Sequence, residues 1–275
     1  MSMQEILYLL ALTRINFFHL AGIRQLYDKL GSATAIIENK DHLQDIIPDI
    51  SPRLTDGLRG IDEALKRAEA ELEYDMKNDI LPIPLHDDNY PQRLKECDDA
   101  PLLLFYKGNA SLNALRVVSI VGTRKCTSYG QDLICRFVKE LRQLCPQVLI
   151  VSGIAYGVDI NAHKAALENG YDTVAVLAHG LDYLYPPRHK PTADKMLRQG
   201  GLLTEFFTMT NADKGNFVRR NRIVAGMADC TVLVETGNLN RGVLQLVLHV
   251  HVRCEDDAAY ADEVCLHILQ VCHSL

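Results

Sequence analysis

Apolar residues in this chain bunch into short β-branched runs separated by amphipathic stretches, a rhythm that alternates between strand and helix. Val117 to Val121 is a nearly unbroken apolar run that ends at Gly122-Thr123-Arg124, and from Ser128 to Leu144 the apolar positions recur at helical intervals. Val148 to Ser152 ends in Gly153-Ile154-Ala155-Tyr156-Gly157-Val158-Asp159, which opens a second helix, Ile160 to Asn169, closed by Gly170. Thr173 to Leu177, followed by Ala178-His179-Gly180, reads as a third strand; Gly201 to Glu205 and Cys230 to Glu235 read as a fourth and fifth. Continuous apolar runs predict strands covered on both faces. Strands alternating with helices predict an α/β fold with a doubly wound, mostly parallel sheet. In such sheets ligands collect at the carboxyl ends of the strands, where Gly122, Gly153, Gly180 and Glu235 fall.

The first 75 residues have a different pattern. Ile6, Leu7, Leu9, Leu10, Leu26, Leu30, Leu43, Ile46, Leu54, Leu58, Ile61, Leu65 and Leu72 recur at helical spacing, punctuated by Gly22, Gly31-Ser32, Pro48 and Pro52. This predicts a small all-helical domain over residues 1–75, with the layout of a SAM-like or helix-hairpin-helix module. Residues 74–92 are expected to link it to the next domain, stiffened by Pro82 and Pro84. The sheet domain is expected over residues 76–237, and an atypical tail over 238–275.

The turn at Gly122 carries the first candidate chemistry. A strand that delivers a turn to a helix N-terminus makes an anion site. There Gly122 admits a close ligand, the Thr123 hydroxyl can donate, and Arg124 offers a planar fork that matches phosphate oxygens, with Lys125 beside it. A plain turn with a solvated arginine fits the same residues. Ser152, Gly153, Ala155 and Gly157 form a second small-residue turn. Between the last two strands, Asn216-Phe217-Val218-Arg219-Arg220-Asn221-Arg222 sets three arginines and two asparagines around one phenylalanine. Arginine and asparagine bind phosphates and base edges, and the ring can stack a base.

Charge supports this reading only when the chain is divided. The whole chain is −6. Residues 1–75 carry 8 basic and 13 acidic side chains, and residues 238–275 carry 2 and 5. Residues 76–237 carry 19 and 17, the one stretch with a positive surplus. Nucleic-acid binding needs a local basic groove rather than a basic total. The acidic helical domain is better read as a packing or protein-interaction module.

These motifs together resemble the DNA-processing protein A (Smf) family. The matching stretches are Ser119-Ile120-Val121-Gly122-Thr123-Arg124 with Thr127 and Tyr129-Gly130; Ser152-Gly153, Ala155, Gly157 and Asp159; and His163 with Ala165-Ala166-Leu167. To these are added Gly180-Leu181-Asp182 with Tyr185-Pro186; Arg220-Asn221-Arg222-Ile223 with Ala225-Gly226; and, upstream, Tyr90-Pro91, Leu94, Pro101, Leu103, Phe105 and Gly108. The resemblance runs from about Leu81 to Glu235. It implies a Rossmann-like domain behind a small helical one. It further implies a cytoplasmic single-stranded-DNA-binding protein that protects incoming DNA and assists loading of the RecA recombinase during natural transformation. DNA would be held by Gly122, Thr123, Arg124, Lys125, Ser152, Gly153, Ala155, Gly157, Phe217, Arg219, Arg220, Asn221 and Arg222. The oligomeric state is left open, a homodimer included.

No cofactor is expected: the Gly-x-Gly-x-x-Gly dinucleotide fingerprint is absent. The rival class is an enzyme, a phosphoribohydrolase-like protein on a related sheet, or else a small-nucleotide sensor. Glu205 and Glu235 are its candidate acids or bases, and Asp159 and His163 sit four apart on a helix. The Pro-Gly-Gly loop of those hydrolases is missing and no catalytic constellation is complete, so a non-enzymatic role is expected. The N-terminus does not resemble a signal peptide, and no apolar run reaches the length of about 18 residues that a membrane span requires. The eight cysteines are scattered, as in a reduced compartment.

After Glu235 the resemblance ends, and the family's winged helix is missing. The last 38 residues hold three of the eight cysteines and four of the ten histidines, the composition shift that a changed reading frame or a truncation would produce. His249, His251, Cys254, Cys265, His267 and Cys272 lack the spacing of a zinc site. Val243 to Val252 could form an edge strand and Val264, Ile268 and Val271 a helix face, in a tail expected to pack worse than the sheet.

Overall fold

In a computed structural model, the structure describes residues 2–15, 20–48, 50 and 52–235. The readings of the tail, including its zinc candidates, strand and helix, lie outside the described residues. The chain forms two compact units, Met1–Tyr90 with Asp98–Phe105, and Pro91–Cys97 with the chain from Tyr106 onward.

The first unit contains α1 (Met3–Ile15), α2 (Leu20–Leu30), α3 (Ala33–Glu38), α4 (Leu43–Ile46), α5 (Pro52–Arg59), α6 (Ile61–Lys77) and β1 (Leu81–Pro84). Leu9, Leu10 and Leu12 of α1, Ile23 and Leu26 of α2, Ile36, Leu58 and Ala68 are all buried. A polar anchor sits beside them that apolar periodicity could not disclose. The buried carboxylate of Glu5 accepts the backbone N–H groups of Ala33 (2.5 Å) and Thr34 (2.9 Å), the Thr34 hydroxyl (2.7 Å) and the Tyr27 hydroxyl (3.2 Å). One side chain of α1 therefore caps the N-terminus of α3, where an anion is favoured by the helix dipole. Burial pushes the carboxyl pKa up, but these donors outweigh it and leave it below the ordinary value.

The proposed linker is more ordered than expected. α6 continues to Lys77, and Leu81–Pro84 is a strand next to β2 (Leu103–Gly108) at one end of the strand order, with Leu85 N–H donating to Leu102 O at 2.9 Å. Prolines lack an N–H to donate, and an edge strand is where that loss is tolerated.

The second unit contains α7 (Gln92–Lys95), β3 (Val117–Gly122), α8 (Ser128–Leu144), β4 (Leu149–Ser152), α9 (Val158–Glu168), β5 (Thr173–Val176), α10 (Lys190–Met196), β6 (Gly200–Thr204), α11 (Lys214–Gly226) and β7 (Cys230–Val234). The order across the sheet from β2 is β2-β6-β5-β4-β3-β7. The pairs β3–β4, β4–β5, β5–β6 and β3–β7 are parallel, with Gly122 opposite Val234. The alternation of runs thus gives the mostly parallel α/β sheet it predicts. Val118, Ile120 and Ile150 pack against Ile134, Phe137, Val138 and Leu141 of α8 and Ala162, Ala165 and Ala166 of α9. A second cluster joins Ile154, Ile160, Ala175, Leu177, Ala193, Met196 and Leu202.

Strands β3, β4, β5 and β6 march outward in one direction, and β7 is then added on the other side of β3. The order reverses between β3 and β7, so the switch-point crevice where α/β sheets bind ligands opens beyond Gly122 and Val234.

Glu5 supplies a test of this packing. Glu5→Ala should lower the unfolding free energy by about 2–4 kcal/mol, because several buried donors lose their acceptor. Chemical denaturation of the full chain measures it, and Glu5→Gln should recover part of the loss.

Candidate nucleic-acid interface

The β3–α8 turn is built from its own hydroxyls. Thr123 Oγ1 accepts the Lys125 N–H at 3.1 Å, and Thr127 caps α8 by accepting the Gly130 N–H at 3.1 Å. Glu235 braces the turn: its backbone O accepts the Thr123 N–H at 2.9 Å, and its carboxylate accepts the Thr127 N–H at 2.9 Å and the Thr127 hydroxyl. The Thr127 donors hold its carboxyl below the usual value. Arg124 and Lys125 are exposed, and the Arg124 guanidinium stands 4.7 Å from the Phe217 ring centroid.

Close packing calls for glycine in both turns. A Cβ on Gly122 would strike the Val234 carbonyl and Val158. At Gly153 the space is filled by the guanidinium of Arg220. Gly157 (φ 77°) lies against the backbone of Thr123 and Arg124, which locks the two turns together. Between them Ile154 holds φ 56°, a costly conformation for a β-branched residue. It is fixed by His189 Nδ1–H donating to its carbonyl at 2.8 Å. The Asp159 carboxylate accepts the Ala155 N–H at 3.3 Å, and the Ser152 hydroxyl donates to Ile120 O at 2.6 Å beneath the turn.

The arginine-rich segment lies on α11, capped by Asp213, whose carboxylate accepts the Asn216 N–H at 2.8 Å. Its three arginines face inward to different degrees. Arg219 and Arg222 both pair with the buried carboxylate of Glu205, at 2.9 and 2.5 Å. Arg220 is buried, donates to Val176 O and to Asn221 Oδ1 (3.2 Å), and stands 4.0 Å from Asp159. Burial raises the Asp159 carboxyl pKa and lowers that of Arg220, each opposed by the other's charge. Phe217 has Arg220 5.9 Å from its centroid and Tyr185 tilted against it at 6.1 Å.

Thus Gly122, Thr123, Arg124, Lys125, Gly153, Ala155, Gly157, Phe217 and Arg220 come together around one crevice. Ser152 and Asn221 support it from below, while Arg219 and Arg222 are committed to Glu205. The sequence reading gave no binding role to the rim aromatics. Tyr156, Tyr183 and Tyr185 are exposed, and Tyr156 has Arg188 5.4 Å from its ring. Their sequence signal is slight: isolated tyrosines in small-residue loops after a strand.

The groups considered for acid–base chemistry each make a structural contact, while Glu205 Oε1 and His163 Nε2 are buried without a hydrogen-bond partner. Glu205 is neutralised by two arginines. His163 Nδ1 contacts Thr173 Oγ1 at 2.7 Å, and that hydroxyl donates onward to Ile150 O, so the imidazole is the donor and Nδ1 carries the proton. His179 Nε2 accepts the Tyr185 N–H at 3.1 Å, while its Nδ1 donates to Gly180 O. Among the described residues no group of three or more His, Cys, Asp or Glu is placed to hold a metal ion, and no helix is long and apolar enough to cross a membrane.

A mostly parallel α/β sheet whose switch point is rimmed by exposed cations and aromatic rings defines a Rossmann-like protein with a candidate polyanion crevice. The chain belongs to the DNA recombination-mediator protein A family, whose model matches residues 82–247. It is 40% identical over 149 residues to the DNA processing protein DprA of Streptococcus pneumoniae, covering 54% of this chain and 52% of the relative. It is 37% identical over 156 residues to protein Smf of Escherichia coli, covering 56% and 41%. The chain spans about half the length of the curated relatives it matches. The crystal structure of the Streptococcus pneumoniae protein superposes with a TM-score of 0.73 at 27% identity, over 94% of this chain and 90% of that one. DNA processing protein A from Helicobacter pylori, whose single-stranded-DNA binding mode has been described, gives 0.55 at 27% identity over 62% and 75%.

Two expectations follow from this wiring. Arg222→Ala leaves buried Glu205 short of a partner and should cost about 3 kcal/mol of stability, whereas exposed Arg124→Ala should change it by less than about 0.5 kcal/mol; denaturant titration compares them. Burial lowers the pKa of His163 to about 3, and lowers those of His179 and His189. A histidine held neutral in the fold but free to protonate when unfolded contributes stability above pH about 6.5, lost progressively as pH falls below it. His163→Gln should therefore flatten the fall in unfolding free energy between pH 6.5 and 4, measured against wild type at each pH.

Proposed function

We propose that the protein binds single-stranded DNA in the crevice beyond β3 and β7, protects it, and assists loading of the RecA recombinase in natural transformation and recombination. The observation that carries this reading is the row Arg124–Phe217–Tyr185 at the switch point, where an exposed cation and two rings stand side by side. Single strands are held by charge along the backbone and by rings that stack successive bases whatever their identity. Duplex hides its base faces and cannot use the rings.

In this proposal Arg124 and Lys125, beside the N-terminus of α8, take the phosphates. Phe217 and Tyr185 take bases, with Tyr156 and its neighbour Arg188 extending the track. Gly122, Thr123, Ser152, Gly153, Ala155 and Gly157 form the turns that present them. Arg219, Arg220, Asn221 and Arg222 hold α11 and Phe217 in place rather than meet the strand directly. Family membership and the description of the Helicobacter pylori relative support the same ligand class. The proposed setting is the cytoplasm.

Anisotropy titration with a labelled oligonucleotide tests the reading. Single strands should bind in preference to duplex, and affinity should fall steeply with salt. Arg124→Ala should weaken binding for every sequence and reduce the salt slope by about one, the signature of one lost phosphate contact. Tyr185→Ala should weaken binding while leaving the slope unchanged. Equal affinity for duplex, or an unchanged Arg124→Ala, refutes it.

A further inference from the structure

Within the first unit, α1 and α6 lie against each other and leave a groove on their outer side. Met3, Gln4, Leu7 and Tyr8 line it from α1, and Glu69, Leu72, Glu73 and Met76 from α6, around a volume of about 500 Å³. On α6 these positions are i, i+3, i+4 and i+7, one stripe of the helix surface. The stripe spans roughly 10 Å at a rise of about 1.5 Å per residue, the length of two turns. Met3 is 54% exposed and Met76 66%, so two flexible thioether side chains stand open to solvent at the groove. Exposed apolar surface of this kind marks an interaction site, and methionine adapts to a partner's shape better than branched side chains do.

Charge decides the occupant. Glu69 and Glu73 flank the apolar floor, Glu73 with Lys77 Nζ 2.7 Å away as an exposed pair that a partner's cation can exchange with, and residues 1–75 as a whole carry a balance of −5. That field repels nucleic acid and anionic lipid. It equally disfavours a second copy of this acidic unit and the chain's own last 38 residues, which carry 2 basic and 5 acidic side chains. We propose that the α1–α6 groove is a docking site for an amphipathic helix of a partner protein, with apolar residues at i, i+3 or i+4 and i+7 and with lysine or arginine alongside. A helix laid in a two-helix groove reads through that spacing, and its flanking cations meet the two glutamates. The surface is independent of the DNA reading, since none of its residues belongs to the crevice.

The test uses the full chain and a fluorescein-labelled helical peptide bearing leucine at those positions and lysine elsewhere. A second peptide keeps the leucines and replaces lysine with glutamate. The cationic peptide should bind with salt-sensitive affinity and the acidic one should not. Glu69→Gln with Glu73→Gln, and separately Met76→Asp, should each weaken binding about tenfold, roughly 1.4 kcal/mol. These positions lie at the surface, and an unchanged thermal midpoint checks that the variants fold. The same charge change away from the groove, Asp62→Asn with Glu63→Gln, should leave affinity within about twofold. Failure of the cationic peptide to bind, equal binding of both peptides, equal loss in the remote variant, or no loss in either groove variant overturns the proposal. So does self-association in sedimentation velocity that Met76→Asp abolishes, because a second copy would then be the occupant.

Discussion

The guanidinium of Arg220 is the interaction on which the candidate site depends. It occupies the space that a Cβ at Gly153 would take, donates to the carbonyl at the end of β5, lies within 4.0 Å of Asp159 on α9, and stands 5.9 Å from the Phe217 ring centroid. One buried cation therefore joins the ends of β4 and β5 to α9 and α11. A lysine could not reproduce this, because a single ammonium cannot spread planar donors across several acceptors. Burying it is costly, and Asp159 only partly offsets that cost across a 4.0 Å gap, so the hydrogen bonds to Val176 O and Asn221 are needed to retain the charge. The glycine beside it leaves room for the arginine.

This buried framework fixes what faces outward. Phe217 has the Arg124 guanidinium 4.7 Å and the Arg220 guanidinium 5.9 Å from its ring centroid, so the exposed arginine stands at a ring that a buried arginine helps to position. The other two arginines of α11 neutralise Glu205, which allows a carboxylate at the end of β6 without leaving a negative charge in the crevice. Glu235, by contrast, keeps its charge and accepts the Thr127 N–H and hydroxyl at the start of α8. Asp159 and Glu205 thus face buried arginines, while Arg124 and Lys125 are exposed. An acidic chain can carry a cation-lined crevice for this reason: the sum over residues says little about which charges meet the solvent at one edge of a sheet.

Much of this was legible in the sequence. Strand runs such as Val117–Val121 and the helix from Ser128 to Leu144 announce themselves, because burial on both faces of a strand and on one face of a helix leaves a periodic record. The turn at Gly122 was located for the same reason. The partners of charged side chains left no such record. Arg219, Arg220 and Arg222 look equivalent in the segment Asn216 to Arg222, yet helical geometry sends Arg220 toward Asp159 and the other two to Glu205, which lies 14 and 17 residues away from them. The Glu5 anchor was invisible because its acceptors and donors are 22 to 29 residues apart. β1 was read as linker because two prolines mask an edge strand. The rim tyrosines were missed as a set because only the strand order brings loops after β4 and β5 beside α11.

The two units divide the charge of the chain in a way that bears on how they would operate together. The sheet unit presents cations and rings at one edge, where a strand of nucleic acid would screen them. The helical unit is acidic and carries its exposed apolar residues on the α1–α6 stripe, a surface that nucleic acid would avoid. Under the two proposals, a ligand attracted to one surface would be repelled by the other, so the surfaces would select different classes of partner. That separation has a kinetic consequence. Long-range attraction of a polyanion is set by the local field at the charges that meet it and falls off within a Debye length, so under the proposed function Arg124 and Lys125 would act locally despite the acidic total. Under the proposed function, discrimination would then rest on short-range stacking against rings such as Tyr185 rather than on bulk charge, which is the condition under which a single strand is distinguished from a duplex of higher charge density.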